Sequence, residues 1–281
     1  MQHDFLVLFL HIDKSFICIK ISVNKGKNMT KDKKTSGSAY SPKNLSVQEI
    51  VEQNKHIISG KLSGSNIKKL NNLNWLRHEI SFTEPRILFW MPQKEQSAFF
   101  DYSCTKGLGE AYDYILEHKN DSEITPTTIC DIHYLIAHDT NILPGRYRTS
   151  EKILEITVNG SRIHTPNPLM IPQLLENLLY EYKHSTKPKP LRAFDLHYKL
   201  LMLHPFDDYN KRTSRMVMNL ALLHAGYRPV VFNRKSDKEN YRKAIAHMAN
   251  GDSKSYYRYM YNAMRASQEK IIAQLKSSNI K

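Results

Sequence analysis

Apolar residues recur with a helical period along most of the chain, and the places where that period fails mark its turns. Ser46-Val47-Gln48-Glu49 has capping-box spacing and opens a helix through Ile50, Val51 and Ile57, before Gly60 and Gly64 interrupt it. Ile67, Leu70, Leu73 and Leu76 predict a second helix, and Pro85 and Pro92 bracket a loop or short strand at 86–91. Further helices are expected at Tyr102–His118, from Thr125-Pro126 through Ile136, at Ile171–Lys183 and at Leu191–Leu203. The run Met216, Val217, Leu220, Leu222 and Leu223 is apolar on nearly all sides, which places its helix at the centre of a bundle. Gly226 and Pro229 end it, and two more helices are expected near Lys238–Ala249 and Ser255–Lys276.

The β signal is confined to two places. Ile153–Val158 and Arg162–His164 flank Asn159-Gly160, a dipeptide suited to a tight hairpin turn, and Ile17–Val23 alternates like a strand. Between them, Met29 to Ser41 is rich in Lys, Ser, Thr and Gly without any period and reads as a disordered linker. The expectation is a mainly α fold carrying one inserted hairpin and no internal repeat.

Composition narrows the class only modestly. The 281 residues hold 41 Lys and Arg against 27 Asp and Glu, a net charge of +14, which favours polyanionic partners without choosing among them. Nucleic acid is disfavoured, because no zinc-finger spacing, RNA-binding aromatic signature or helix-turn-helix accompanies the charge. Phe5–Leu10 is too short to span a bilayer. Cys18, Cys104 and Cys130 are odd in number and scattered, so they define neither a disulfide framework nor a metal site, and a reducing compartment is expected.

Chemistry concentrates in Leu203-His204-Pro205-Phe206-Asp207-Asp208-Tyr209-Asn210-Lys211-Arg212-Thr213-Ser214-Arg215. If one helix ends near Leu203 and the next starts near Asn210, the intervening loop meets a helix N-terminus, whose unpaired N–H groups and dipole attract anions. Lys211, Arg212 and Arg215 add cations, the two arginines on one face. Asp208 offers a hard oxygen for Mg²⁺, His204 a base near neutral pH, and Phe206 an anchor into the core.

This stretch resembles the Fic domain signature, His-Pro-Phe-x-(Asp/Glu)-Gly-Asn-Gly-Arg-x-x-Arg. Leu143–Arg148 is similar to the family's Pro-Gly-x-Tyr-Arg segment, and the Asn159-Gly160 hairpin to its target-binding flap. Gly226–Pro229 and Tyr241–Ala244 are similar to the family's segments on the C-terminal side of the signature helix. The resemblance covers about Pro126 to Met260 and implies a Fic-type helical bundle. Residues 1–44 are then an N-terminal extension, disordered or, before Met29, a mis-set start. Residues 45–125 form a helical region packing on the core, 126–265 the catalytic core and 266–281 a C-terminal helix or tail.

By the same resemblance, His204 is the general base in transfer of AMP from ATP to a Ser, Thr or Tyr hydroxyl of a target protein. Asp208 holds Mg²⁺. Asn210 and neighbouring N–H groups hold the α-phosphate, Arg212 and Arg215 take the β- and γ-phosphates, and Tyr209, Lys211 and Tyr241 contribute to the nucleotide site. The target docks on the Ile153–His164 hairpin, and the protein itself is an alternative target. A separate inhibitor protein and a second copy of the chain are further partners the family allows, in the cytoplasm or after delivery into a host cell.

Two departures matter. Tyr209 and Lys211 replace the family's loop glycines, so a Cβ is penalised there wherever positive φ is required. Asn210-Lys211-Arg212 resembles the toxin branch of the family, which transfers a terminal phosphate; Doc-like phosphotransfer and a catalytically impaired nucleotide-binding module are therefore the alternatives. In the family's inhibitory-helix motif, (Ser/Thr)-x-x-x-Glu-(Gly/Asn), Ser59 stands where Glu is expected before Gly60, which implies constitutive activity unless Glu49, Glu52 or another protein substitutes.

Overall fold

The computed structural model describes residues 5–12, 15–22, 46–61, 95–140, 142–158, 160–232 and 234–277. The linker expected at 29–41, the helix at 67–76 and the loop at 86–91 lie outside the described residues. The described chain is mainly helical, with α1 at Val47–Lys61, α2 at Glu95–Glu117, α3 at Pro126–Ala137, α4 at Ile171–His184, α5 at Lys189–Leu203, α6 at Asn210–His224, α7 at Arg234–Ala249 and α8 at Ser253–Ser277. Strands β1 (Phe5–Ile12) and β2 (Ser15–Ser22) form one antiparallel hairpin, and β3 (Ile153–Val158) and β4 (Ser161–His164) another.

The cores of these helices match their apolar faces, and their ends match their caps. Ser46 and Glu49 make the reciprocal cap, Ser46 N–H donating to Glu49 at 2.7 Å and Glu49 N–H to Ser46 Oγ at 3.3 Å. Thr125 and Thr128 do the same for α3, with Pro126 in its first turn. At the end of α6, Gly226 takes φ 79°, while Tyr227 N–H donates to Leu222 O at 2.9 Å and Gly226 N–H to Leu223 O at 2.9 Å. Those bonds make a Schellman stop and satisfy carbonyls the helix leaves open.

Helix α6 is the buried centre of the bundle, with every residue from Met216 to Leu223 in the core. It packs against α5, α2 and α3, α4 lies on α5, and α8 joins α7 to α1. Asn219, also buried, accepts from Val230 N–H at 2.8 Å and donates to Val230 O at 3.2 Å, fastening the segment after α6 along it. Helix α1 closes the far end of α6: Lys55 Nζ donates to Ala225 O at 3.0 Å and lies over the Tyr227 ring, whose hydroxyl meets Glu52. The N-terminal end of α6 is thereby left to the loop between α5 and α6.

No described helix is long and apolar enough to cross a membrane. Cys130 is half-buried, and burial raises its thiol pKa; the side chains of Cys18 and Cys104 lie outside the described residues.

Candidate active site

Helix α5 ends at Leu203 because His204 takes left-handed geometry, φ 50° and ψ 59°, with its N–H donating to Leu200 O at 3.1 Å. That conformation is ordinarily a glycine's, although histidine visits it more readily than most side chains. Arg148 holds the turn in place. Its backbone N–H donates to Pro205 O at 2.9 Å, and its guanidinium donates to His204 O at 2.7 Å, Ser150 O at 2.8 Å and Pro166 O at 2.7 Å. One side chain, 2% exposed, thus joins both ends of the β3–β4 hairpin to the loop. Desolvation pulls its pKa down, yet three backbone carbonyls accept from its guanidinium.

Phe206 is fully buried and stacks on His133, ring centroids 3.8 Å apart and planes 2° from parallel. His133 Nδ1 accepts from Gly145 N–H at 2.9 Å, so its proton sits on Nε2, which donates to Asp208 O at 3.3 Å. Burial lowers the His133 pKa to about 4, keeping the ring neutral and this tautomer available. Gly145 has φ 68°, and a Cβ there would meet Cys130 O at 3.2 Å, so the turn that supplies the N–H admits only glycine comfortably.

Asn210, the first residue of α6, folds the loop onto itself. Its Oδ1 accepts from Phe206 N–H at 2.9 Å, and its Nδ2 donates to Phe206 O at 2.8 Å and Asp208 O at 3.3 Å. Its amide therefore braces the loop at 3% exposure. Asp208 is exposed, with Oδ1 accepting from Tyr209 N–H at 2.6 Å. Asp207 faces the hairpin base instead, paired with Lys152 at 2.9 Å.

Of the two positions where the signature has glycine, only one requires it. Tyr209 is left-handed, φ 56° and ψ 10°, whereas Lys211 lies within α6 and carries no such strain. The Tyr209 ring lies beneath Arg212, 4.9 Å from guanidinium carbon to centroid, a cation–π geometry that also turns the arginine across the loop. Arg215, one helical turn on, lies 4.3 Å from the Tyr241 ring and 4.8 Å from that of Phe232. Tyr241 itself is 4% exposed, so it acts as a floor beneath Arg215 and not as an open surface for a ligand.

The His204 ring is half-buried, and burial brings its pKa down to about 4, with the Arg148 charge adding to the effect. Its Nδ1 is buried without a well-formed hydrogen bond, although the Leu201 backbone stands close enough to favour the charged form. At neutral pH the imidazole is thus neutral, with one ring nitrogen left as an acceptor.

His204, Asp208, Tyr209, Asn210, Lys211, Arg212 and Arg215 all lie on one loop and the first turns of one helix, and Tyr241 joins them through Arg215. Sequence reading gave no role to Arg148, His133, His197 or Lys152. The two histidines did carry a signal: each occupies an apolar helical face, His133 beside Ile129, Ile132 and Ile136, and His197 beside Ala193, Leu200 and Leu201. A titratable ring on a core stripe implies designated hydrogen-bond partners.

No group of three or more His, Cys, Asp or Glu among the described residues is placed to hold a metal. Mg²⁺ does not require one, being commonly held by one or two carboxylates together with substrate phosphates, and the single exposed carboxylate of Asp208 fits that manner of binding.

The Fic/DOC family profile matches residues 123–222. The chain is 31% identical over 191 residues to protein adenylyltransferase Fic of Nematostella vectensis, an alignment covering 65% of this chain and 42% of the relative. It is 30% identical over 166 residues to protein adenylyltransferase fic-1 of Caenorhabditis elegans, covering 57% of this chain and 31% of the relative. The chain thus spans less than half the length of these curated relatives. Among solved structures, a Fic domain containing signaling protein from Bacteroides thetaiotaomicron superposes with a TM-score of 0.67 at 19% identity, over 83% of this chain and 98% of that one. C. elegans Fic-1 (residues 134–508) gives 0.63 at 20% identity, over 83% and 74%. Residues 123–222 are thus similar to the Fic/DOC family, and the described bundle is similar in fold to solved Fic domains.

Proposed function

We propose that the protein transfers AMP from ATP to a hydroxyl side chain of a target protein. The observation that carries this reading is the joint placement of His204, exposed Asp208 and the Arg212/Arg215 pair around the N-terminus of α6. His204 accepts the proton of the target Ser, Thr or Tyr hydroxyl as its oxygen attacks the α-phosphorus. The bond from that phosphorus to the bridging oxygen breaks, and pyrophosphate leaves. Arg212 and Arg215 receive the β- and γ-phosphates, Lys211 adds a point charge, and the loop's backbone N–H groups face the α-phosphate. Asp208 would hold Mg²⁺, which supplies charge neutralisation when bound. Positioning and charge complementarity provide most of the catalysis in this scheme.

The target would dock along the β3–β4 hairpin by strand addition. Lys152 at the hairpin base pairs with Asp207 of the loop, which supports a fixed distance between a docked segment and His204. The lysine at 211 favours a second reading, transfer of a terminal phosphate.

Intact-mass spectrometry of the purified protein and of candidate targets, after incubation with ATP and Mg²⁺, separates the readings. An AMP adduct supports nucleotidyl transfer, a phosphate adduct supports the second reading, and no adduct points to a nucleotide-binding module. His204→Ala should remove any adduct, and Ile163→Pro should spare ATP binding while abolishing target modification.

A further inference from the structure

Beneath Arg215 runs a chain of buried polar contacts whose directions follow from its far end once the histidine within it is neutral. The Tyr256 hydroxyl donates to the backbone carbonyl of Phe194 at 2.8 Å, and a carbonyl can only accept. With its single proton committed, the Tyr256 oxygen must accept from His197 Nδ1, 3.0 Å away. In the neutral ring that burial enforces, the single imidazole proton is then on Nδ1 and Nε2 is bare. The Tyr241 hydroxyl, 2.9 Å from Nε2, must then donate to it. His197 and Tyr256 are both fully buried, so the order cannot be exchanged with solvent.

The chain draws on α5 for His197, α7 for Tyr241 and α8 for Tyr256, and it terminates at the hydroxyl of Tyr241, over whose ring Arg215 of α6 is stacked. Phe232, whose centroid is 5.6 Å from that of Tyr241 at 67°, completes the corner that holds the guanidinium. Ring and cation are thus set by a hydrogen bond that only a neutral, Nδ1-protonated His197 can accept. Burial and the nearby Arg215 charge lower the His197 pKa to about 3, consistent with that state.

We propose that His197 is a positioning residue for Arg215: by fixing the Tyr241 ring it sets where the guanidinium meets the terminal phosphates of the nucleotide. The inference rests on Arg215 being a ligand of the β- or γ-phosphate. It makes Tyr241 part of the nucleotide site through Arg215 and not through the base or sugar.

The test compares ATP with AMP, which lacks the phosphates Arg215 would reach, by isothermal titration of the full chain. Arg215→Ala serves as the reference and should weaken ATP binding while leaving AMP within about twofold. His197→Phe, which keeps a ring and removes both hydrogen bonds, should weaken ATP about tenfold and spare AMP equally. His197→Gln, which retains a donor and an acceptor, should recover part of the loss. If His197→Phe fails to give a cooperative thermal transition, Tyr241→Phe deletes only the hydroxyl, with about a threefold loss of ATP affinity expected. Unchanged ATP affinity in the His197 or Tyr241 variants beside a weakened Arg215→Ala overturns the positioning role alone, as does equal loss of ATP and AMP. An Arg215→Ala variant that binds ATP normally removes the phosphate-ligand reading itself.

Discussion

His204 and Tyr209 are the two non-glycine residues with positive φ among those described, and they bracket the loop of the proposed site. Each left-handed residue other than glycine costs on the order of 1–2 kcal/mol, which Arg148 offsets at His204 through its grip on the carbonyls of His204 and Pro205. At Tyr209 the offset is the contact with Arg212. Tyr209→Gly would relieve the strain and lose the contact, so stability should change by less than about 1 kcal/mol in urea unfolding. The same variant should raise adduct formation by clearing ring volume from the loop; reduced formation would instead show that the tyrosine contributes to binding. The His204 pKa of about 4 moves the acid limb of the rate profile in a definite direction. An unperturbed base would lose about tenfold in kcat/KM by pH 5.5, whereas His204 should lose less than about twofold, because it stays unprotonated until the pH approaches 4.

At the scale of elements, period and capping made most of the helices legible. The capping box at Ser46, the Pro126 start, the Gly226 stop and the all-round apolar α6 each arise from residue types whose local physics leaves few alternatives. The β3–β4 turn was legible for the same reason. Two helix starts differ by more than two residues: α2 starts at Glu95 where apolar spacing began at Tyr102, and α7 starts at Arg234 where it began at Lys238. Both differences fall at helix starts whose sequence carries no clear apolar period. The site's scaffold was less legible, because Arg148 acts by reaching backbone carbonyls from sequence positions 150, 166 and 204, and carbonyls leave no mark in a sequence. Removing it by Arg148→Ala would leave three part-buried carbonyls without their shared donor and a cavity at a buried site, destabilising the protein by on the order of 3 kcal/mol in urea unfolding. Arg148→Lys should recover little, since an ammonium cannot span three carbonyls in a fixed fork.

Over the whole molecule, the neutral histidines tie stability to pH. His197 joins α5, α7 and α8, and His133 joins α3 to the loop and to the turn at Gly145, so both stand at junctions between elements. Their folded pKa values, about 3 and about 4, lie below the ordinary histidine value of 6.5. Between those values the unfolded chain binds protons that the folded one refuses. Their contribution to stability is therefore fully present above pH 6.5 and is lost as the pH falls toward 4 and 3. At pH 5 the loss from His197 alone is about 2 kcal/mol, and His133 acts in the same direction. Urea unfolding at pH 7 and pH 5 should show this fall. In His197→Gln, whose side chain does not titrate, the fall should shrink by about 2 kcal/mol even though that variant begins less stable. An unchanged pH dependence in the variant would mean that His197 titrates near 6.5 in the folded protein as in the unfolded one, whereas a steeper fall would mean that it is already charged at pH 7 and that the hydrogen bond from Tyr241 reverses.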